Sequence, residues 1–389
     1  MKRIRCGLVG VGFVGPHHID AMRRLGFVDV VAIATGSTES AQRKAAQLHV
    51  PKAYGSWQQL LDDPEIEVVD IATPTQYHLP IAMAALARGK HVIVDKPLAL
   101  NSGEARQLVA AAEKAGVVHA VTFNIRYNPL IQQMRILARR GDFGRIHLVT
   151  GHYLQEWLLK ETDFSWRLDP EQSGPLAMVA DAGIHWFDLA QHITGLRITE
   201  VLSDLHTVIP TRQKPVGENR EAFAAASGGR IEPYAVKVAD LGSVLVKFNN
   251  GGRGVFTTTP LAAGHKNDLR IEINGANASA RWEQERPNEL WIGHRDEPSQ
   301  TLLKDPPLLD ESIRHYAKLP GGHNEAWSDA FRNLMLNIFV FIAEGRNPRT
   351  ADGIAFPTFH DGLSAACIID AIEKSHALGG RWTEVECST

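Results

Sequence analysis

Residues 4–15 read Ile4-Arg5-Cys6-Gly7-Leu8-Val9-Gly10-Val11-Gly12-Phe13-Val14-Gly15. The first six are mostly apolar and predict a buried strand, whereas the last six form a G-x-G-x-x-G turn that opens a helix. In this pattern Gly10 permits the tight turn, Gly12 lets the backbone approach a pyrophosphate, and Gly15 allows close helix–strand contact. Phe13 and Val14 belong to the same predicted cofactor-binding turn. The stretch therefore predicts a dinucleotide-binding βαβ unit whose helix N-terminus faces the diphosphate.

Strands and helices alternate through the first third of the chain. Apolar, β-branched runs at 28–34, 68–72, 91–94 and 117–122 predict strands, with helical segments between them. Such alternation predicts a Rossmann-type, doubly wound parallel sheet with right-handed crossovers. A chain of 389 residues is too long to fold around one ordinary hydrophobic core. We therefore expect a nucleotide-binding domain at 1–125 and a second domain at 126–389.

The residue that binds the adenosine ribose is expected about twenty positions beyond the last glycine. Thr35, Gly36 and Ser37 occupy that place, so no carboxylate is present to bind both ribose hydroxyls or to repel a 2′-phosphate. Arg43 and Lys44 follow, and we expect them on the solvated face of an Ala-rich helix. The sequence predicts NAD or NADP as cofactor and leaves the choice open.

A lone lysine follows the predicted strand at 91–94, in the stretch Asp95-Lys96-Pro97. Thr73-Pro74 ends the preceding strand in the same way. Ligands bind at the carboxyl ends of strands in such sheets, so these residues are expected to line the cofactor site. Pro97 disfavours helical geometry for Lys96, and the amine is expected to point into the cleft. The alternative is an exposed surface lysine, but the other motifs favour a functional role.

After residue 125 the pattern changes to long strands with hairpin signals, such as the turn Asn249-Asn250-Gly251-Gly252. This predicts an α+β domain with a large, mostly antiparallel open sheet and helices on one face. The polar stretch 206–239 is rich in Gly and Pro, and we interpret it as an insertion near the sheet edge.

Composition excludes several classes of function. A net charge of −3 with 22% charged residues provides no basic field for nucleic acid, and no stretch approaches the length of a membrane span. The cysteines at 6, 367 and 387 are widely spaced, which suggests neither a disulfide framework nor a metal site and suits a reducing cytosol. A cytoplasmic location is therefore expected.

Asp181 and His185 are four residues apart in a predicted helix from about 176 to 194, so they are expected on one helix face. An imidazole can transfer a proton near neutral pH, and a carboxylate one turn away can orient it. Asp188 and His192 repeat the spacing. Ordinary i, i+4 contacts or a metal pair are the alternatives, but no HExxH or CxxC accompanies them and we expect no metal.

Several of these motifs occur in the order seen in one family. The chain resembles the Gfo/Idh/MocA family, named for glucose–fructose oxidoreductase and inositol dehydrogenase, over nearly its whole length. Its E-K-P motif is present here with an aspartate in first position. The motifs that support the resemblance are Gly10-x-Gly12-x-x-Gly15, Thr73-Pro74, Asp95-Lys96-Pro97, Arg126-Tyr127-Asn128-Pro129, Trp166-Arg167 and Asp181-x-Gly183-x-His185.

The resemblance implies a nicotinamide-dependent oxidoreductase acting on a secondary hydroxyl of a sugar, cyclitol or glycoside. It implies that Lys96 binds the reacting hydroxyl, that His185 is the general base in oxidation, and that Asp181 positions the substrate or the imidazole. Trp166 and Arg167 would lie beside the nicotinamide or substrate, with a structural loop anchor as the alternative. His78 is a further cofactor-side candidate, although a helix-start role suits it better.

Further substrate-binding candidates combine aromatic rings with amides or a guanidinium, a mixture that suits carbohydrate. Ordinary packing at a domain interface is the alternative. These candidates are Asn124, Arg126, Tyr127, Tyr153, Gln155 and Trp157.

Three classes of function remain open: a sugar or glycoside dehydrogenase, a glycosidase acting by transient oxidation with tightly held NAD, and a non-catalytic sensor of the same fold. The joint presence of Lys96 and His185 favours the first. Because an open antiparallel sheet needs its outer face covered, a homodimer or homotetramer is expected.

Overall fold

The computed structural model describes residues 2–216 and 230–387, so residues 217–229 of the expected insertion at 206–239 lie outside the described residues. The chain forms two compact units. One holds the chain up to Asn124 together with Phe331–Ala366, and the other holds Ile125–Ala330 with the chain from Cys367 onward. The units thus differ from two contiguous domains at 1–125 and 126–389 because one late segment belongs with the first unit.

The first unit is built on a six-stranded parallel sheet in the order β3-β2-β1-β4-β5-β6, which confirms the predicted Rossmann-type fold. Its strands are β1 (Ile4–Val9), β2 (Val28–Ala34), β3 (Lys52–Tyr54), β4 (Val68–Ile71), β5 (His91–Val94) and β6 (His119–Val121). Its helices are α1 (Gly15–Arg23), α2 (Thr38–Leu48), α3 (Trp57–Asp62), α4 (His78–Ala87) and α5 (Ser102–Ala115).

Apolar runs become strands here because both faces of the sheet are covered. All four residues of β4 are buried, as are the last three of β5. Helix α2 begins where a side chain satisfies one of its first amides, since Ser37 accepts a hydrogen bond from the Ser40 amide.

The late segment Phe331–Ala366 covers the edge of this sheet. The Val121 amide donates to the Pro357 carbonyl at 3.0 Å, and the Phe359 amide donates to Nδ1 of His119 at 3.1 Å. An unpaired strand edge exposes backbone donors and acceptors, and these bonds satisfy part of β6. No local pattern in the sequence predicts this long-range return.

The second unit contains a nine-stranded sheet in the order β16-β15-β14-β13-β7-β12-β11-β8-β17. Among the described strands of this sheet only β7 and β12 pair in parallel, which confirms the predicted, mostly antiparallel sheet. The strands are β7 (Ile146–Leu154), β8 (Ile198–His206), β9 (Thr211–Pro215), β10 (Ile231–Ala235), β11 (Leu241–Phe248), β12 (Arg253–Thr259), β13 (Asp268–Gly275), β14 (Ser279–Glu283), β15 (Glu289–Gly293), β16 (Gln300–Leu303) and β17 (Thr383–Glu384).

Helices cover one face of this sheet. The helices wholly within the second unit are α6 (Pro129–Arg140), α7 (Pro170–Ser173) and α8 (Ile184–Thr194), whereas α9 (Trp327–Ala343) and α10 (Phe359–Ala377) each have residues in both units. Helix α8 packs on β7 and β13, and its Trp186 indole stacks on Phe256 of β12 with ring centroids 5.0 Å apart. Gly151 of β7 lies beneath this indole. Within residues 2–216 and 230–387, no helix combines the length and apolarity needed to cross a membrane.

Strands β9 and β10 form a separate antiparallel ribbon, which accounts for the described parts of the expected insertion. Arg212 of β9 is fully buried and donates to the carbonyls of Leu158 at 2.8 Å and Lys160 at 2.9 Å. Its guanidinium also lies 3.4 Å from Asp240. Through these hydrogen bonds the ribbon stabilises the loop that follows β7.

The prediction that the cysteines form no disulfide was wrong. Cys367 of α10 and Cys387 near the C-terminus are bonded, with their Cα atoms 5.6 Å apart, whereas Cys6 is a buried free thiol. After α10 the chain turns through Gly379 and Gly380, which have φ of 77° and 75°, and runs back as β17. This reversal brings together two cysteines that are twenty residues apart.

We predict that Gly151→Ala lowers the free energy of unfolding by about 2 to 3 kcal/mol, because an added methyl group overpacks the sheet–helix interface. A Cβ at this position would lie 2.1 Å from the Arg270 carbonyl oxygen and 2.3 Å from Nε1 of Trp186. Urea unfolding followed by fluorescence measures the change. Gly36→Ala is the matched control, since its Cβ meets no described atom within 4 Å; equal stability of the two variants would contradict the packing argument.

Candidate functional site

The glycine turn between β1 and α1 leaves one side open. A Cβ on Gly10, whose φ is 92°, would lie 2.6 Å from the Ala72 carbonyl oxygen, and one on Gly15 would lie 2.6 Å from the Gly10 carbonyl oxygen. Around Gly12, in contrast, a Cβ would meet none of the described atoms within 4 Å. Two glycines thus permit close backbone packing, and the third leaves space beside the helix N-terminus. This arrangement fits a dinucleotide diphosphate.

Two buried polar atoms at the carboxyl edge of the parallel sheet have no hydrogen-bond partner among the described residues. They are Oγ1 of Thr73, after β4, and Nδ2 of Asn124, after β6. Most buried polar groups in proteins are paired, so unpaired ones at the expected ligand edge indicate a ligand that supplies the partner. Pro74 follows Thr73 and begins a short 3₁₀ helix at Thr75–Tyr77.

At the end of β2 the side chains expected near the ribose contact one another. The Thr35 hydroxyl donates to the Ser37 carbonyl at 3.0 Å, and the Ser37 hydroxyl accepts from the Ser40 amide. A Cβ added to Gly36 would meet no described atom within 4 Å. Lys44 of α2 donates to the Val11 carbonyl in the glycine turn, so the expectation that it lies on a purely solvated face was wrong.

Lys96 follows β5 directly, as predicted, and the Lys96–Pro97 peptide bond is cis. The Asp95 side chain contacts residues of the first unit. Its Oδ1 accepts a hydrogen bond from the Thr122 hydroxyl and lies 3.9 Å from Nε2 of His18. Cofactor binding by Asp95 stays a prediction. Its carboxylate holds the turn that bears Lys96.

His78, a further cofactor-binding candidate, contacts two backbone carbonyls with its imidazole. Its Nδ1 lies 2.9 Å from the Pro97 carbonyl and its Nε2 lies 2.9 Å from the Thr73 carbonyl. Burial lowers the pKa of this imidazole, although Asp95 and the two carbonyls oppose the shift. Both ring nitrogens face backbone oxygens, so His78 joins the two loops that follow β4 and β5.

In the second unit, Asp181 lies in a π-helical segment, Val179–Gly183, that leads into α8. The expected regular helix is therefore interrupted between Asp181 and His185, and i, i+4 geometry does not describe the pair. Oδ2 of Asp181 accepts a hydrogen bond of 2.7 Å from Nε of Arg167. This ion pair joins the loop before α7 to the start of α8.

His185 is buried and lies beside Tyr153 of β7, with ring centroids 6.3 Å apart. The Tyr153 hydroxyl donates to Oδ1 of Asn267 at 2.6 Å, and the Gln155 amide donates to the same oxygen at 3.1 Å. Burial raises the pKa of Tyr153, and Asp181 adds to the increase, so the phenol keeps its proton. These side chains form a polar cluster next to the histidine.

Two tryptophans flank the arginine that binds Asp181. The Arg167 guanidinium carbon lies 4.6 Å from the ring centroid of Trp166 and 5.9 Å from that of Trp157. The Trp157 indole donates to Oε1 of Gln155 at 3.1 Å. Cation–π contacts at these distances orient the guanidinium. The expected residues Trp157, Trp166, Arg167 and Asp181 are thus brought together within the second unit.

Arg126 and Tyr127 contact other parts of the protein. Arg126 makes a two-point ion pair with Asp188 of α8, including an Nε–Oδ2 bond of 2.7 Å, and both side chains are buried. The Tyr127 ring packs edge-on against Tyr316 at 5.8 Å. The ion pair of Arg126 ties the start of the second unit to α8, and substrate binding by Arg126 and Tyr127 stays a prediction.

The repeated pair Asp188 and His192 contacts other protein side chains. Asp188 binds Arg126, and Nε2 of His192 lies 3.3 Å from the Gln132 amide nitrogen. Burial lowers the pKa of His192 well below its ordinary value, and nearby arginines lower it further. In the part of the chain that the structure describes, no three His, Cys, Asp or Glu residues are grouped to hold a metal ion.

Sequence reasoning missed Asn267 and His18. Asn267 receives hydrogen bonds from Tyr153 and Gln155 only because β13 pairs with β7 in the register Leu269↔Tyr153. His18 lies in α1 and contacts Asp70 of β4 across the parallel sheet. Neither position carries a local motif, and both depend on long-range strand or helix packing.

Comparisons with known proteins agree with this geometry. Residues 4–123 match the profile of an oxidoreductase family with an NAD-binding Rossmann fold, and residues 131–281 match the GFO/IDH/MocA C-terminal domain. Levoglucosan dehydrogenase of Pseudarthrobacter phenanthrenivorans is 30% identical over 400 residues, covering 99% of each chain.

Solved structures extend the similarity to the whole fold. An oxidoreductase domain protein from Kribbella flavida is 32% identical with a TM-score of 0.88, covering 99% of this chain and 100% of that one. A levoglucosan dehydrogenase in complex with NADH and L-sorbose is 28% identical with a TM-score of 0.88, covering 100% of both chains.

The glycine turn, the parallel sheet and these matches define an oxidoreductase with an NAD-binding Rossmann domain. Within that class, the chain belongs to the Gfo/Idh/MocA family, as its motifs indicated.

We predict that Arg126→Met lowers the free energy of unfolding by about 3 to 5 kcal/mol, because it removes the two-point ion pair of the buried Asp188 carboxylate. The double variant Arg126→Met/Asp188→Asn is expected to recover much of this loss, which a double-mutant cycle in urea measures. A single variant that is fully stable but has a raised KM for substrate would instead support substrate binding by Arg126.

Proposed function

We propose that this protein oxidises a secondary hydroxyl of a sugar or cyclitol, or reduces the corresponding ketone, with a nicotinamide dinucleotide. The observation that supports this most directly is Lys96, which follows β5 in a dinucleotide-binding unit where Thr73 and Asn124 present unpaired polar atoms. The second unit adds His185 beside Tyr153, and Asp181 contributes to the raised pKa of that tyrosine. The proposal assigns these groups to one reaction.

Lys96 serves as the cation beside the reacting oxygen. Removal of hydride from carbon is easier when the hydroxyl proton leaves and the developing alkoxide charge is stabilised. An ammonium group supplies that stabilisation, and it stays beside the reacting oxygen when the backbone of its residue is fixed. Asp95, bonded to Thr122, holds the residue that precedes Lys96.

His185 serves as the general base in oxidation and the general acid in reduction. Its imidazole is buried beside Tyr153, whose hydroxyl is committed to Asn267 as a donor. Asp181 is paired with Arg167, so its carboxylate is held in place and partly neutralised. We infer that Asp181 positions substrate through its remaining lone pairs, while His185 takes or returns the hydroxyl proton.

The residues of the glycine turn would hold the dinucleotide, with Gly12 beside the diphosphate and Thr73 near the nicotinamide end. When bound, the nicotinamide ring accepts or donates the hydride. We propose NAD as the preferred form, because a similar levoglucosan dehydrogenase structure contains NADH and residues 4–123 match an NAD-binding profile. Thr35 and Ser37 offer hydroxyls but no carboxylate at the ribose position, so NADP is the comparison to include.

The substrate is proposed to be an uncharged polyhydroxyl ring. Trp157 offers an apolar ring face, and Gln155 and Asn267 offer amide groups next to it. This mixture suits the apolar faces and hydroxyls of a sugar. Levoglucosan and L-sorbose, which the names of similar proteins and structures contain, are the first compounds to assay.

We predict that Lys96→Ala reduces kcat by a factor on the order of 10² to 10³ while the Kd for dinucleotide changes little, since a transition-state contact is lost. Absorbance at the NADH band with a panel of sugars, cyclitols and glycosides measures turnover, and calorimetry measures binding. Lys114→Ala, at an exposed lysine of α5, is the matched control. Equal loss of binding and turnover would contradict the assigned role.

The same panel separates the alternative functions. A glycosidase acting by transient oxidation releases sugar without net NADH, whereas a dehydrogenase accumulates NADH in proportion to substrate consumed. A sensor binds dinucleotide without hydride transfer to any compound. Wild-type protein that transfers no hydride, with either NAD or NADP, would refute the proposed function.

We also propose a homo-oligomer, a dimer or a tetramer, that covers the open face of the nine-stranded sheet. Leu245 of β11 and Val255 of β12 pair in register and are 40% and 41% exposed in the single chain. The residues before and after each of them on the strand are buried. Because side chains alternate between the two faces of a strand, the pair lies on the face opposite the core. Exposed apolar side chains on a sheet favour association.

We predict that Leu245→Glu/Val255→Glu shifts the oligomer to monomer, because burying two carboxylates in an apolar interface is unfavourable. Light scattering after size exclusion at micromolar concentration measures the mass. Leu308→Glu, at a leucine that is 59% exposed outside the sheet, is the control. A wild-type chain that is monomeric at this concentration would rule out the proposal.

A further inference from the structure

A histidine and two aspartates meet beneath the glycine turn. His18 lies on α1, three residues beyond Gly15, and its side chain is fully buried. Its Nδ1 lies 2.8 Å from Oδ2 of Asp70, which is also fully buried in β4. A buried carboxylate is stable when it is paired and hydrogen-bonded, so this contact joins α1 to the centre of the sheet.

The other ring nitrogen of His18 faces the residue before the catalytic lysine. Nε2 lies 3.9 Å from Oδ1 of Asp95 and has no hydrogen-bond partner among residues 2–216 and 230–387. The same Asp95 oxygen accepts the hydrogen bond from Thr122 of the chain after β6. The face of the imidazole packs on Phe331, with ring centroids 4.8 Å apart. His18 therefore has a carboxylate opposite each nitrogen.

The two carboxylates decide the protonation state of the ring. A neutral imidazole that donates from Nδ1 to Asp70 would turn the lone pair of Nε2 toward the Asp95 carboxylate, which is unfavourable. Burial lowers the pKa of His18, but Asp70 and Asp95 outweigh it and raise the pKa overall. His17 on the same helix has a pKa lowered by burial and then by His18, and the pKa of the buried Cys6 thiol is raised by burial and then by Asp70. The imidazolium is the form that suits these neighbours.

We propose that the imidazolium of His18 bridges Asp70 and Asp95 and is a positioning residue that holds the turn bearing Lys96 in place. The proposal rests on the proposed function, in which the Lys96 ammonium stabilises charge at the reacting oxygen. Since Asp95 is bonded to Lys96 through one peptide, a carboxylate held by Thr122 and His18 restricts where the ammonium can go.

A packing role alone does not account for this arrangement. An apolar side chain of similar volume would fill the space beside Phe331 without requiring a carboxylate at both ends. Oδ1 of Asp70 is buried and has no hydrogen-bond partner in the described ranges, so the cluster retains a desolvated negative charge that a cation at His18 offsets. Replacing a buried ion pair by apolar groups is often neutral for stability, which makes function the better explanation for its retention.

The test compares two amides at position 18. In His18→Asn the amide lies near the place of Nδ1, keeps the contact with Asp70 and loses the one with Asp95, whereas in His18→Gln the amide reaches the place of Nε2. We expect His18→Asn to lower kcat by a factor on the order of 10 to 10², since small displacements of a catalytic group cost that much. The Kd for dinucleotide should change little, and His18→Gln should recover part of kcat.

The pH profile separates positioning from stability. Loss of the imidazolium leaves an extra uncompensated negative charge beside Lys96, so the rising limb of kcat/KM for oxidation should move to higher pH in His18→Asn. Thermal unfolding of both variants is measured alongside. If both variants lose activity only in proportion to lost folded protein, with an unchanged pH profile, the proposal is overturned.

A measurement on the unliganded wild-type protein keeps the inference separate from the enzyme assay. Nitrogen-15 NMR of the histidine rings reports whether His18 is an imidazolium. We expect a charged ring at neutral pH, and in Asp95→Asn we expect it to lose its proton at lower pH. A neutral His18 ring, or one that does not respond to Asp95→Asn, would refute the bridge. Absence of hydride transfer by the wild type would refute the proposed function while leaving the NMR result to decide the bridge.

Discussion

The close approach of backbone to backbone at the glycine turn is the constraint on which the first unit depends. A Cβ at Gly10 would collide with the Ala72 carbonyl, and a Cβ at Gly15 would collide with the Gly10 carbonyl. With those contacts made, α1 begins directly above the ends of β1 and β4. The helix therefore presents its N-terminus at the open side of the turn. It also buries His18 between Asp70 of β4 and Asp95, which follows β5.

Paired charges organise the second unit in a different way. Arg126 with Asp188, Arg167 with Asp181, and Arg212 with Asp240 and nearby carbonyls each tie one loop or helix to another. Buried guanidinium groups need such partners because an isolated charge is costly in a protein interior. In the pair of Arg167 with Asp181 both members are candidates for ligand contact, and the two flanking tryptophans keep the guanidinium in a defined orientation.

Local signals in the sequence were sufficient for much of the fold. The glycine turn, the apolar strands and the hairpin turn at 249–252 act over a few residues, and each formed where the pattern indicated. Long-range features were not predictable in that way. The return of Phe331–Ala366 to the first unit, the disulfide between Cys367 and Cys387, and the contact of Asn267 with Tyr153 all join positions whose proximity depends on sheet order and register.

By itself the sequence determined the fold class, the family and the candidates Lys96, Asp181 and His185, because motif spacing and hydrophobic period are properties of short stretches. Only the tertiary structure decided which polar side chains are occupied within the protein. His78 and Arg126 have the right chemistry for ligand binding, yet carbonyls and a carboxylate from distant segments surround them. The role of a polar group depends on which partner contacts it in the folded protein, and long-range packing determines that partner.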